Sequence, residues 1–142
     1  MKNVIVDFVA PEGFEEVTGP APFAALNGPF YEKIVDDQTL VRAFQAEEKH
    51  LNGAHLVHGG MLMAFADSAL GRSIGHQTGR RSVTIKMSSE FMKPGRVGDW
   101  IEAHVEIIRS TKTVVFARCD LVAGRRTIFK ADAIFHYVHM GR

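Results

Sequence analysis

The sequence predicts an α+β fold, a long antiparallel sheet wrapped around one central buried helix. Three observations predict it. The 142 residues are 46% hydrophobic and 23% charged, the composition of one globular domain. One segment, about residues 58–75, repeats its apolar residues at helical spacing and is apolar on nearly every side. The segments around it carry strand patterns, two before the helix and four after. A lone apolar helix needs cover, and a curved sheet around it is the economical solution. A chain of this length can bury a real core without disulfides or metals.

The elements follow in order. Residues 1–29 read as an irregular lead-in. Pro11, Gly13, Gly19, Pro20, Pro22, Gly28 and Pro29 punctuate it, with one helical turn expected around Phe23 to Leu26. Tyr31 to Val35 and Leu40 to Ala46 are strand candidates joined by Asp36-Asp37-Gln38, a hairpin. A loop from Glu47 to Val57 carries Asn52-Gly53. Met61, Leu62, Phe65, Ala66, Ala69, Leu70 and Ile74 then mark the helix. Gly59-Gly60 open it, and Gly75 is its expected stop. Four strands complete the domain: Ser82 to Phe91, Asp99 to Arg109, Thr113 to Val122 and Thr127 to Val138. Regular turn signals between them suggest an antiparallel meander.

Charge is unevenly spread. Residues 1–57 hold 4 Lys/Arg against 9 Asp/Glu, a net −5; residues 58–142 hold 13 against 7, a net +6. A basic C-terminal half suits a phosphate-bearing ligand. Solvated strand faces account for it equally well. No aromatic–basic platform points to nucleic acid. The apolar run Met61 to Ala66 ends at Asp67, far short of the ~20 residues a membrane span needs. One cysteine, Cys119, permits no disulfide framework within the chain, so a reducing, cytoplasmic compartment is expected. The N-terminus lacks a basic region followed by a long apolar run, so no secretory signal is expected.

The chemistry concentrates between Asn52 and Asp67. The first N–H groups of a helix have no intrahelical partner and lie at the positive end of its dipole. With Gly59 and Gly60 there, a ligand can approach the backbone closely, as an oxyanion hole requires. Asp67 interrupts the apolar helix, and a carboxylate in apolar surroundings costs free energy that a functional role repays. A structural bond to Arg72 or to a loop N–H is the plainer alternative. Gly60 and Asp67 share one helix face but lie roughly 10 Å apart along the axis. One carbonyl carbon cannot sit beside both. Two antiparallel helices, one from each of two chains, close that gap, so the spacing suggests a homodimer. His50, His55 and His58 with Asp67 fit no closed zinc pattern.

Asn52, His58-Gly59-Gly60 and Asp67, followed by the run from Ser82 to Gly95, resemble the hot-dog-fold thioesterase superfamily. The match is to its phenylacetic-acid-pathway (PaaI-type) branch, over about residues 40–138. The resemblance implies hydrolysis of an acyl-coenzyme A, with no metal or prosthetic group. It implies dimers, often paired into dimers of dimers, that is homotetramers. It gives Gly59 N–H the thioester carbonyl and Asp67 the role of general base or nucleophile. Asn52 and His58 orient the water or thioester, and Thr84 supplies a strand hydroxyl where many relatives have serine. Gly60 lines the oxyanion end. Arg80, Arg81, Lys93 and Arg96 are candidates for the coenzyme A phosphates. Two other activities occur on this fold, acyl-thioester dehydration or hydration and non-catalytic acyl-coenzyme A binding. The dehydratase branch carries a different Asp–His motif, and the sensors carry an appended DNA-binding module.

Overall fold

The computed structural model describes residues 8–19 and 21–139. Residues 1–7 and Pro20 of the predicted lead-in lie outside the described residues. In chain order the elements are β1 (Glu15–Glu16), α1 (Pro22–Asn27), β2 (Phe30–Ile34), β3 (Leu40–Gln45), a 3-10 turn (Glu48–His50), α2 (Gly59–Thr78), β4 (Ser82–Phe91), β5 (Trp100–Ser110), β6 (Val114–Ala123) and β7 (Arg126–Tyr137). The strands form one seven-stranded sheet in the order β1-β2-β3-β5-β6-β7-β4, and every neighbouring pair is antiparallel.

The sheet packs against α2. Eight helix residues are buried, among them Phe65, Ala66, Ala69, Leu70 and Ile74. The facing strands present Ala103, Ala117, Ala131 and Ala133, all buried. Small side chains there let the helix approach the sheet closely. Larger residues fill the rim, where Phe65 meets Phe44 at 4.6 Å and Phe30 at 5.2 Å between ring centroids. Close-packed burial of this kind contributes roughly 1.5–3 kcal/mol per large apolar side chain.

The structure differs from the sequence reading in four places. The helix runs past Gly75 to Thr78, because Gly79 supplies the left-handed stop, with φ 71° and its N–H on the Gly75 carbonyl at 2.8 Å. The four late strands are not a simple meander. The strands β5, β6 and β7 are, but β4 pairs with β7, so the chain crosses from one sheet edge into the interior between β4 and β5. The lead-in is more regular than expected, adding β1 to the β2 edge and placing α1 over the predicted turn. Helix α2 is covered on one side only within a single chain: Met63, Ala64, Asp67, Ser68, Gly71 and Arg72 are half-buried.

Candidate active site

Asp67 and Thr84 meet. Asp67 lies on the uncovered face of α2, and Thr84 on the β4 face turned toward the helix. The Thr84 hydroxyl donates to Asp67 Oδ1. A bulge between Thr84 and Lys86 makes this alignment possible. It shifts the strand's alternation by one, so Thr84 as well as Met87 and Phe91 faces inward while Lys86 is exposed. Arg72, the alternative partner, is engaged elsewhere. Its Nε donates to Glu32 Oε2 at 2.9 Å. Glu32 also binds Arg42, whose Nη1 reaches Ser68 Oγ at 2.7 Å, beside Asp67 on the helix. The hairpin register sets Glu32 opposite Arg42 across the Asp36-Asp37-Gln38 turn, so that pair was readable from the turn's position.

The helix start is built around His58. Its Nδ1 accepts the Gly60 N–H at 2.8 Å, and its carbonyl accepts Met61 N–H at 2.9 Å and Leu62 N–H at 3.2 Å. Among the described residues no acceptor takes the Gly59 N–H. Of the two glycine amides, Gly59 is therefore the free donor and Gly60 is committed to the cap. Space is tight at both positions, against side-chain atoms in each case. A Cβ at Gly60 would lie 2.9 Å from His58 Nδ1, and one at Gly59 would lie 3.0 Å from Phe91 Cε1. Phe91 was not anticipated; its pairing opposite the buried Phe129 brings it there.

Asn52 lies in the loop before the helix start. Its Oδ1 accepts Ala54 N–H at 2.9 Å and Leu56 N–H at 3.2 Å, holding the turn that precedes His58. The basic candidates fall into two pairs at opposite ends of β4. Arg80 and Arg81 precede the strand, Lys93 and Arg96 follow it, and ten residues at ~3.4 Å each separate them by roughly 30 Å. Arg80 lies 3.6 Å over the Tyr137 ring and donates to the Lys112 carbonyl at 3.1 Å, while Arg81, Lys93 and Arg96 are exposed. Cys119 is buried, and burial pushes its thiol up to about 12, which keeps it from nucleophilic work. Among the described residues no cluster of three or more His, Cys, Asp or Glu could hold a metal ion. No described helix is long and apolar enough to cross a membrane.

Within one chain, then, Asp67 and the free Gly59 amide remain eight residues apart on one helix, about 12 Å. Comparison with known proteins gives this arrangement its context. Residues 54–129 match the family model of the thioesterase superfamily. A Pseudomonas aeruginosa protein that carries an esterase name is 33% identical over 128 residues, 89% of this chain and 96% of that protein. Mouse acyl-coenzyme A thioesterase 13 is 28% identical over 102 residues, 66% of this chain and 73% of that protein. In three dimensions the Escherichia coli PaaI protein of the phenylacetic acid degradation operon superposes with a TM-score of 0.77 at 21% identity, over 84% of this chain and 86% of that one. A hypothetical thioesterase of Streptococcus pneumoniae, solved with coenzyme A, superposes with a TM-score of 0.73 at 20% identity, over 80% and 91%. It has also been solved as an aspartate-to-alanine and a threonine-to-alanine variant. With a family model over more than half its length and a relative a third identical along nearly all of it, the chain belongs to the thioesterase superfamily, on the hot-dog fold.

Proposed function

We propose that the protein hydrolyses an acyl-coenzyme A to a free acid and coenzyme A, at two sites each shared between two copies of the chain. The observation that carries this reading is the separation just described. A carboxylate fixed by a hydroxyl and an unclaimed helix-start amide sit on one helix, too far apart to act on one carbonyl. A second copy placed antiparallel brings the partner's Asp67 and Thr84 to the Gly59 amide. The coenzyme A bound to the Streptococcus relative supports the substrate class.

Strand β4 supports the mode of association. It is a ten-residue edge strand, whereas the opposite edge is the two-residue β1. Long unpaired edges seek partners. Val83, Ile85, Phe91 and Met92 on and just after β4 are exposed apolar residues. Antiparallel pairing of two β4 strands sets the Thr84 end of one against the Phe91 end of the other. Asp67 touches Thr84, and Gly59 touches Phe91, so the same pairing completes both sites.

In the reaction, the Gly59 N–H donates to the thioester carbonyl as its oxygen becomes negative. The partner's Asp67 takes a proton from water, through the oxygen that Thr84 leaves free. The water oxygen bonds to the acyl carbon, the C–S bond breaks, and the proton passes to the departing thiolate. His58 and Asn52 act through the backbone: one caps the helix, the other holds the turn before it. The basic pairs Arg80–Arg81 and Lys93–Arg96 are assigned to the phosphates of coenzyme A. The test is thiol release from phenylacetyl-, hydroxybenzoyl-, short-, medium- and long-chain acyl-coenzyme A, with Asp67→Ala in parallel. Turnover in the wild type alone supports the assignment. Binding without turnover in either would make the protein an acyl-coenzyme A binder instead.

A further inference from the structure

His50 takes no part in the site described above. It is nonetheless the one buried histidine among the described residues, 3% exposed. Both ring nitrogens are engaged. Nε2 lies 2.6 Å from the carbonyl oxygen of Asn27, the last residue of α1, and Nδ1 accepts the Glu47 N–H at 2.9 Å. A carbonyl can only accept and an amide N–H can only donate. One neutral tautomer, protonated at Nε2, satisfies both. The ring stands edge-on to Phe44 at 5.0 Å, and Phe44 packs against Phe65 of α2. Buried and doubly bonded, the imidazole is a rigid coupling between two segments distant in sequence.

The main chain of His50 continues the connection. Its carbonyl accepts the His58 N–H at 2.8 Å, which closes residues 50–58 into a loop. Inside that loop Asn52 N–H reaches the Leu56 carbonyl at 2.8 Å, and the Asn52 side chain ties Ala54 and Leu56. A loop stitched this way moves as a unit, and its last member, His58, caps the turn that presents Gly59. On the other side stands α1. It has six residues, none of them buried, with Phe23 and Leu26 exposed. A helix that short has no stability of its own and depends on tertiary ties. The Asn27–His50 bond is one of them.

We propose that His50 is a positioning residue that ties the N-terminal lead-in to the amide turn carrying Gly59. Order in the lead-in is thereby transmitted to the carbonyl-binding donor. This rests on the role proposed above for Gly59, although the mechanical tie itself does not. It gives the Pro- and Gly-rich lead-in a function: it braces the active-site loop from behind.

Two substitutions divide the clamp. In His50→Asn the side-chain oxygen falls near the Nδ1 position and keeps the Glu47 bond, but the amide is too short for Asn27. In His50→Gln the amide reaches Asn27 and gives up Glu47. Hydrogen exchange at residues 21–28 and 56–60 is compared with kcat and KM for each full-length variant. In His50→Asn, exchange should accelerate in both segments by about threefold to tenfold, the equivalent of one hydrogen bond. The kcat should fall by a similar factor while KM stays within about twofold. In His50→Gln residues 21–28 should keep their protection. Faster exchange in His50→Asn confined to 21–28, with 56–60 and kcat at wild-type values, would overturn the proposal. So would a uniform rise across the whole chain with kcat per folded molecule unchanged, the mark of a residue that only stabilises. If the wild type hydrolyses no thioester, the functional reading falls, and the two exchange segments still decide whether His50 couples them.

Discussion

Asp67 is costly where it stands, since aspartate is a poor mid-helix residue and its neighbours Phe65, Ala66, Ala69 and Leu70 are buried and apolar. The Thr84 hydroxyl is its one described hydrogen-bond partner. Substitution by the isosteric amide preserves shape and removes the base. Asp67→Asn should keep the wild-type circular dichroism spectrum while kcat falls roughly 10²–10⁴-fold. Turnover close to wild type would remove Asp67 from the chemistry. Cys119 is the opposite kind of residue, buried and chemically idle. Its thiol ionises near 9.0 when unfolded and is pushed up to about 12 by burial, with Asp120 adding to the shift. Between those values the unfolded chain gives up a proton that the folded chain keeps. Stability is therefore intact below pH 9 and declines as pH rises toward 12. The slope is about 1.4 kcal/mol per unit, and Cys119→Ala should lack that component. Urea midpoints of both proteins at pH 8, 9 and 10 would reveal it as a growing difference.

At the level of elements, the helix and strands were legible because their periodicities are strong. Ile101, Ala103, Val105 and Ile107 alternate with Glu102, His104 and Glu106, and the structure turns the first set toward the core. Pairing order was not legible. Nothing local to Ser82–Phe91 says that its partner is β7 rather than β5, because strand pairing is decided by burial across the whole sheet. The Ile85 bulge was equally hidden, since one inserted residue leaves the apolar count unchanged while reversing which residues face α2. This placement leaves β4 as a long bare edge, and a prediction follows for the strand itself. Charges on an edge oppose pairing. The double variant Val83→Lys, Ile85→Lys should sediment as a monomer with unchanged far-ultraviolet circular dichroism. Its kcat/KM should fall by at least about 10²-fold, because each chain then lacks a complete site. A variant that stays dimeric and active would place the interface elsewhere.

Across the whole molecule, the site was half readable. Of the proposed site, Gly59 and Asp67 were visible as residue types at a spacing, and Thr84 only through the family resemblance. Their division of labour was not, because the His58 side chain claims the Gly60 amide through a contact that spacing alone does not reveal. The structure thus leaves Gly59 as the uncommitted amide, and that permits a decisive test of the proposed shared sites. Gly59 is the first residue of α2, where proline is favoured because its missing N–H has no helical partner. His58 has φ −58° and ψ 131°, the extended conformation that a following proline demands. The ring would press on Phe91, which is 55% exposed and free to turn aside. Gly59→Pro should therefore fold normally and lose roughly 10²–10³-fold in kcat, the cost of one oxyanion donor. Mixing it with Asp67→Asn distinguishes sites within a chain from sites between chains. If each site joins Gly59 of one copy to Asp67 of the other, a mixed dimer holds one site with both groups intact and one with neither. Refolding the two inactive variants together in equal amounts should then recover about a quarter of wild-type activity, since half the dimers are mixed and each carries one working site. Sites contained within single chains would stay inactive in any mixture, because every chain in it lacks one of the two groups.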